Sequence, residues 1–274
     1  SGRSGALRKI MRYANSKIKP CTVKSLEEFF YKSEKFSEKT YGLRGLPQNG
    51  SGVLYRGQSN ATWLLETTLE RGAENHISFS EYFAFLQKMN LPALDFLKQI
   101  PPVAFKNDFE VIDKDILAAF AYVRHIGGPS PLLDWTRDRD VALFFAFSNI
   151  PKMVEDVSIF IFLDGFFQGH GIGSIPRVPL IRIVSREEVN HLLTHSNHVL
   201  QKSEYSYCFF GGGNANVVFA PHEERLSMEK EMPALGCSLC VKFVLPVSLR
   251  KKVFEYLKGK GINEYTLFKS DGAY

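Results

Sequence analysis

The spacing of apolar positions changes along this chain, and the changes mark its elements. Ser25-Leu-Glu-Glu28 has the capping-box pattern, in which a serine and a glutamate three residues on satisfy each other's orphan backbone amides. It leads into Phe29-Phe30-Tyr31 and predicts an N-terminal helix. After a loop over 42–52 rich in Gly, with Pro47 and Asn49, residues 53–56 read as a short strand. Tyr82, Phe83, Leu86 and Met89 recur at helical spacing within 80–97, interrupted at Pro92, and residues 116–126 continue helical until Gly127-Gly128-Pro129. Leu132-Leu133-Asp134 forms a second strand, and Asp138 or Asp140 caps a helix over 141–149.

Further strands are expected at 157–163 and 180–184, then a helix over 189–200 opened by the capping box Ser185-Arg-Glu-Glu188. A glycine loop, Gly211-Gly212-Gly213-Asn214, precedes an apolar stretch at 217–220. A strand over 239–245 stops at Pro246, and a last helix over 248–258 is closed by Gly259 and Gly261. Helices come early and strands mostly later, which predicts an α+β fold with a largely antiparallel or split sheet and helices outside it. No linker, repeat or long charge block divides the chain. Residues 1–24 read as a basic segment or helix, and 25–274 as a single domain.

Composition narrows the function classes. At 274 residues and 45% hydrophobic content the chain can bury a sizeable core. The net charge of +5 gathers at the N-terminus and at Arg250-Lys251-Lys252, less concentrated than a dedicated nucleic-acid surface. The longest apolar runs, at 141–147 and 158–163, fall short of the roughly 18 residues a membrane helix needs, so no membrane partner is expected. Cys21, Cys208, Cys237 and Cys240 are too few and scattered for a disulfide scaffold, and a cytoplasmic location is expected. Cys237-Ser-Leu-Cys240 runs into an apolar strand with no second pair to complete a zinc site, so its thiols read as small buried hydrophobes. His191 and His195 share a helical face without a third ligand, and no metal site is expected.

Two short segments carry the chemistry. Leu54-Tyr55-Arg56-Gly57-Gln58 delivers an arginine at the end of a strand, beside a glycine that leaves room for close contact. Leu133-Asp134-Trp135-Thr136 ends a second strand just before a helix. An arginine and a hydroxyl so delivered suit a phosphate-bearing nucleotide. Bland alternatives stand beside this reading: Arg56 as a structural partner of Asp134, Asp134 and Trp135 as a capped turn with a packed indole, and His125 as a helix C-terminal cap.

These segments resemble the FRG domain family, named for its Phe/Tyr-Arg-Gly motif, here Tyr55-Arg56-Gly57-Gln58. Trp63-Leu-Leu65-Glu-Thr67-Thr68-Leu69-Glu-Arg71 is similar to a second family block, with Thr67 where proline is usual. The family's Gln-His-x-Gly-x-Pro-Thr-Arg-Leu-Leu-Asp-Trp-Thr block appears as Arg124-His125-Ile-Gly127-Gly-Pro129-Ser130-Pro131-Leu132-Leu133-Asp134-Trp135-Thr136, followed by Ala142-Leu-Phe-Phe145-Ala146. The end, 261–272, matches the closing block. One block departs, since Arg225-Leu-Ser-Met-Glu229-Lys-Glu231-Met-Pro233 lacks the family's Gln and Gly.

The order of these blocks is in turn similar to the ADP-ribosyltransferase fold, with Arg before Gly, then a hydroxyl strand, then Glu-x-Glu. That resemblance implies NAD as substrate, with a mono-ADP-ribosyltransferase or NAD glycohydrolase activity on an unidentified protein or nucleic-acid acceptor. It also implies a bacterial toxin or phage-defence setting. Glu231 would stabilise the oxocarbenium-like state and Glu229 would orient the acceptor; both also fit a solvated charged face. Arg56 would hold the pyrophosphate, with Gly57, Gln58, His125, Asp134, Trp135 and Thr136 around the dinucleotide. The rival from another class is a non-catalytic sensor binding nucleotide or nucleic acid through Arg56, Arg71 and the basic N-terminus. A nuclease ranks last, for want of a compact carboxylate and histidine constellation.

Overall fold

The computed structural model describes residues 16–44, 52–72, 77–99, 114–164, 179–189, 200–210, 217–227 and 240–268. Among these, the strands are β1 (Pro20–Thr22), β2 (Val53–Gln58), β3 (Leu133–Thr136), β4 (Asp156–Leu163), β5 (Leu180–Val184), β6 (Ser203–Phe210), β7 (Val218–Phe219) and β8 (Cys240–Pro246). They form one sheet in the order β1-β8-β4-β2-β3-β6-β5, with β7 paired to β6. Every pairing is antiparallel except that of β1 with β8. The helices are α1 (Leu26–Arg44), α2 (Thr68–Gly72), α3 (Phe79–Lys88), α4 (Lys114–His125), α5 (Arg139–Ser148), α6 (Arg186–Val189), α7 (His222–Ser227), α8 (Arg250–Gly259) and α9 (Glu264–Leu267). A 3-10 helix spans Pro92–Gln99. The arrangement is α+β with an open, largely antiparallel sheet.

β4 shows why the sheet is covered on both sides. All of its residues are buried, and side chains alternate between faces along a strand. Ile159 and Ile161 pack with α1, α5 and α8 through Phe29, Val141, Phe147 and Val253. Phe160 and Phe162 point the other way, against Leu54, Leu65 and Trp135. A separate apolar cluster joins α3 and α4 to β6 through Tyr82, Phe120, Tyr205 and Tyr207.

Local chemistry sets the helix ends. The Ser25 hydroxyl accepts the Glu28 amide at 3.1 Å, and the Glu28 carboxylate accepts the Lys24 amide at 2.8 Å, which fixes the start of α1. Asp138, not Asp140, caps α5, accepting the Asp140 amide at 2.9 Å. Gly127 ends α4 at φ 78°, a conformation that glycine adopts without strain.

Two strands differ from the sequence expectations. Part of the segment read as a basic arm or helix, residues 20–22, is the edge strand β1. β6, unmarked by the hydrophobic pattern, lies inside the sheet between β3 and β5, and the polar Glu204 and Ser206 that obscure its apolar run have partners inside the protein. Trp135 Nε1 donates to Ser206 Oγ at 2.8 Å, and Glu204 lies near Arg137 at 3.6 Å. Of the helix expected over 189–200, residues 190–199 lie outside the described residues, and α6 ends at Val189 where that helix is expected to begin; the glycine loop 211–214 and Cys237 also lie outside the described residues. Cys208 and Cys240 are buried among apolar side chains.

Candidate functional site

The sheet nearly parts between β2 and β3. β2 pairs with β4 over six residues, from Val53 opposite Leu163 to Gln58 opposite Ser158, but meets β3 only where Tyr55 faces Thr136. Beyond that point β2 and β3 diverge, and a cleft of about 630 Å³ opens over the fork. Backbone groups in a fork lose their ladder partners and need others. Arg56 supplies one: its Nη1 donates to the Asp134 carbonyl at 2.7 Å and lies 3.6 Å from the Asp134 carboxylate.

Asp134 is shared between two arginines. Arg124, at the end of α4, donates Nε at 3.0 Å and Nη2 at 2.7 Å to its Oδ2. Burial opposes ionisation of Asp134, but the Arg124 and Arg56 charges outweigh it and hold the carboxyl below its ordinary range. Burial lowers the Arg56 guanidinium to about 10, partly offset by Asp134, so it stays charged at neutral pH. The Arg56 Nε and, on the neighbouring stretch of β2, the Gln58 Oε1 are buried with no hydrogen-bond partner among the described residues. Gln58 Nε2 is occupied, donating to the Leu64 carbonyl at 3.0 Å.

The cleft brings together most of the residues singled out in the sequence: Arg56, Gly57, Gln58, His125, Asp134, Trp135 and Thr136 all line it. Their side chains do different things. The Thr136 hydroxyl donates to the Gln201 carbonyl at 2.7 Å and accepts the Asp138 amide at 3.1 Å, tying β3 to the turn before β6 and to the cap of α5. The Trp135 indole is 3% exposed, tilted against Phe162 with ring centres 5.4 Å apart, and its N–H is given to Ser206. His125 Nε2 lies 3.2 Å from the Tyr205 hydroxyl. Glu229 and Glu231 lie outside the described residues.

Gly57 has a reason other than room for a ligand. A Cβ there would sit 2.0 Å from the Ala142 carbonyl oxygen and 2.7 Å from the Ala146 amide nitrogen. Those two atoms are the acceptor and donor of one helical turn of α5, so β2 and α5 touch backbone to backbone. The alanines at 142 and 146 keep that face of the helix shallow.

Sequence reasoning left other cleft residues unnamed as site candidates: Glu66, Arg124, Tyr205 and Trp63. Arg124 stands where the family block has glutamine, and this departure was the one visible signal. Glu66 is the second acidic residue of the cleft lining, its carboxyl raised by burial and by the charges of Glu70 and Glu223. With Arg56, Arg71 and Arg124 against Asp134 and Glu66, the lining has an excess of positive charge even before His125.

A buried polar chain braces the wall behind Trp135. Ser206 Oγ lies 3.0 Å from His222 Nε2, and His222 Nδ1 lies 2.9 Å from Glu70 Oε1. Ser206 and His222 are fully buried, so this serine, histidine and glutamate are framework and not a reaction centre. Among the described residues no group of His, Cys, Asp and Glu could hold a metal ion, and no helix is long and apolar enough to cross a membrane.

The model of the FRG domain family matches residues 51–154, from just before β2 past the end of α5. No curated protein and no solved structure matches the chain.

Proposed function

We propose, from the premise that this chain carries an FRG domain over residues 51–154, that the cleft binds an NAD-class dinucleotide. In this reading it cleaves the nicotinamide–ribose bond, passing ADP-ribose to a macromolecular acceptor or to water. The observation that carries this reading is the forked sheet with Arg56 in the fork. A largely buried guanidinium is costly unless compensated. This one is half compensated by Asp134, retains an unpartnered Nε, and shares the cleft with two further arginines. Planar guanidinium donors suit the paired oxygens of a pyrophosphate.

In the reaction the C1′–N bond breaks and its electron pair neutralises the pyridinium nitrogen. The acceptor oxygen forms the new bond to C1′ and gives up its proton. A carboxylate near C1′ lowers the barrier by stabilising the oxocarbenium-like state. Glu231 is the sequence candidate for that role, with Glu229 orienting the acceptor; Glu66 is the candidate within the described cleft. α7, which precedes Glu229 in the chain, supports a link to this wall, because Glu223 accepts the Leu65 amide at 3.0 Å.

The test is nicotinamide release by purified protein carrying Glu66→Gln, Glu229→Gln or Glu231→Gln. One variant should lose roughly 10²-fold or more while keeping affinity for NAD. Release by all three at the wild-type rate removes these carboxylates from the reaction, whereas NAD binding without nicotinamide release by wild type favours the second reading, a nucleotide sensor without catalysis. That reading draws support from Asp134, whose charge is spent on arginines.

A further inference from the structure

The strap that follows β2, residues 60–65, combines a rigid backbone with a large exposed ring. Its backbone groups are held one after another. The Ala61 amide donates to the Asp156 carbonyl at 2.9 Å, the Thr62 amide to Asn60 Oδ1 at 2.8 Å, and the Trp63 amide to the Asn60 carbonyl at 3.2 Å. The Leu64 carbonyl accepts from Gln58 and the Leu65 amide donates to Glu223. The Trp63 carbonyl accepts Lys242 Nζ at 2.9 Å.

Lys242 makes this hold unusual. It sits on β8, fully buried, with Nζ 5.0 Å from the centre of the Phe160 ring. Burying an ammonium costs several kcal/mol before compensation, and lysine is almost never fully buried unless paired. Here a buried lysine holds the strap directly, and a buried glutamate, Glu223, ties it to the segment before β1, accepting the Lys17 amide at 2.8 Å as well as that of Leu65.

What the strap presents is the Trp63 side chain. Residue 63 is 47% exposed, lines the cleft that holds Arg56, Arg71 and Arg124, and its indole N–H has no partner among the described residues. The other tryptophan, Trp135, is packed and hydrogen bonded. A large apolar ring left in water on a fixed backbone, beside a cationic floor, fits a planar heteroaromatic ring attached to phosphates.

We infer that Trp63 is a base-stacking platform at the cleft mouth, held in place by Lys242, Glu223 and Gln58, and that the cleft takes a ligand joining a nucleobase or nicotinamide ring to phosphate. This rests on the nucleotide reading of the cleft and adds to it the residue that recognises the ring.

Calorimetric titration of three probes tests it: pyrophosphate, which has no base, ADP, and nicotinamide mononucleotide. Trp63→Ala should weaken ADP, nicotinamide mononucleotide or both by roughly tenfold or more, the scale of one lost stack, and leave pyrophosphate unchanged. The probe that weakens identifies which ring stacks. Trp63→Phe should keep most of the affinity, and Lys242→Met, which loosens the strap, should show the Ala pattern more weakly; thermal melts check that each variant folds. Ring binding should also quench wild-type tryptophan fluorescence, and the quench should vanish in Trp63→Phe. Unchanged affinity for both base-bearing probes in Trp63→Ala, with pyrophosphate still bound, overturns the platform and leaves the cationic cleft standing. Equal loss for all three probes also overturns it, assigning Trp63 to structure. No binding of any probe by wild type sinks the nucleotide reading and the platform with it.

Discussion

Gly57→Ala separates two reasons for a glycine beside Arg56. The structure places the added Cβ 2.0 Å from the Ala142 carbonyl oxygen and 2.7 Å from the Ala146 amide, whereas ordinary contacts begin near 3.4 Å. Both obstacles are backbone atoms of α5, so no rotamer change relieves them; the helix must retreat from β2. α5 carries Val141, Leu143, Phe144 and Phe147 into the core over β4, and its retreat loosens that packing. Overpacking of this kind costs about 1–3 kcal/mol, and two backbone clashes put this site at the upper end. For a chain of this size that corresponds to a fall in Tm on the order of 5–10 °C. Denaturant unfolding followed by circular dichroism measures it. Ala142→Gly combined with Gly57→Ala should not rescue stability, because the offending atom is not the Ala142 side chain. Stability of Gly57→Ala within about 0.5 kcal/mol of wild type, with ligand binding lost, would refute the packing argument and return Gly57 to a ligand-contact role.

Other outcomes follow from the charges. Asp134→Asn leaves Arg56 and Arg124 facing each other uncompensated and should destabilise the fold. Because the Asp134 carboxyl is lowered in the folded state, its contribution is present above its unfolded value near pH 4 and is lost as pH falls through the folded one. The variant should therefore show a weaker acid dependence of Tm than wild type, and an identical acid limb would contradict the pairing. Lys242 is lowered from 10.5 to about 8 by burial, so the unfolded chain binds the extra proton between those values and stability should rise with pH across that window. Lys242→Met should abolish a rise of at most about 3 kcal/mol, seen as the difference between the two urea-unfolding curves at pH 8 and pH 10; parallel curves would count against a strongly desolvated lysine.

Much of the frame was legible because its signals are local. Ser25 and Glu28 announce α1, the unbroken apolar run announces β4, and Asp138 was one of two candidate caps for α5. β6 was not legible, because Glu204 and Ser206 interrupt its apolar run, and the groups that partner them, Arg137, Trp135 and His222, are distant in the chain. β1 was hidden in a basic segment for a similar reason: three residues gain strand structure only from the β8 edge. The Tyr-Arg-Gly and Asp-Trp-Thr segments pointed to one cleft, yet their local pattern could not say which side chains face it. Trp135 turns into the core and Thr136 ties off a turn, while Trp63, Glu66 and Arg124 complete the lining. Those partnerships join residues far apart in the chain, and no periodicity encodes them.

The central claim is that Arg56, in the fork between β2 and β3, anchors the phosphates of a dinucleotide. Calorimetric titration of NAD into wild type and Arg56→Lys, with both confirmed folded, tests it most directly. The account predicts binding by wild type and a loss of tenfold or more in Arg56→Lys, since an ammonium cannot reproduce the bidentate donors of a guanidinium. Absence of binding to wild type at millimolar NAD, or equal affinity in the two proteins, would contradict it.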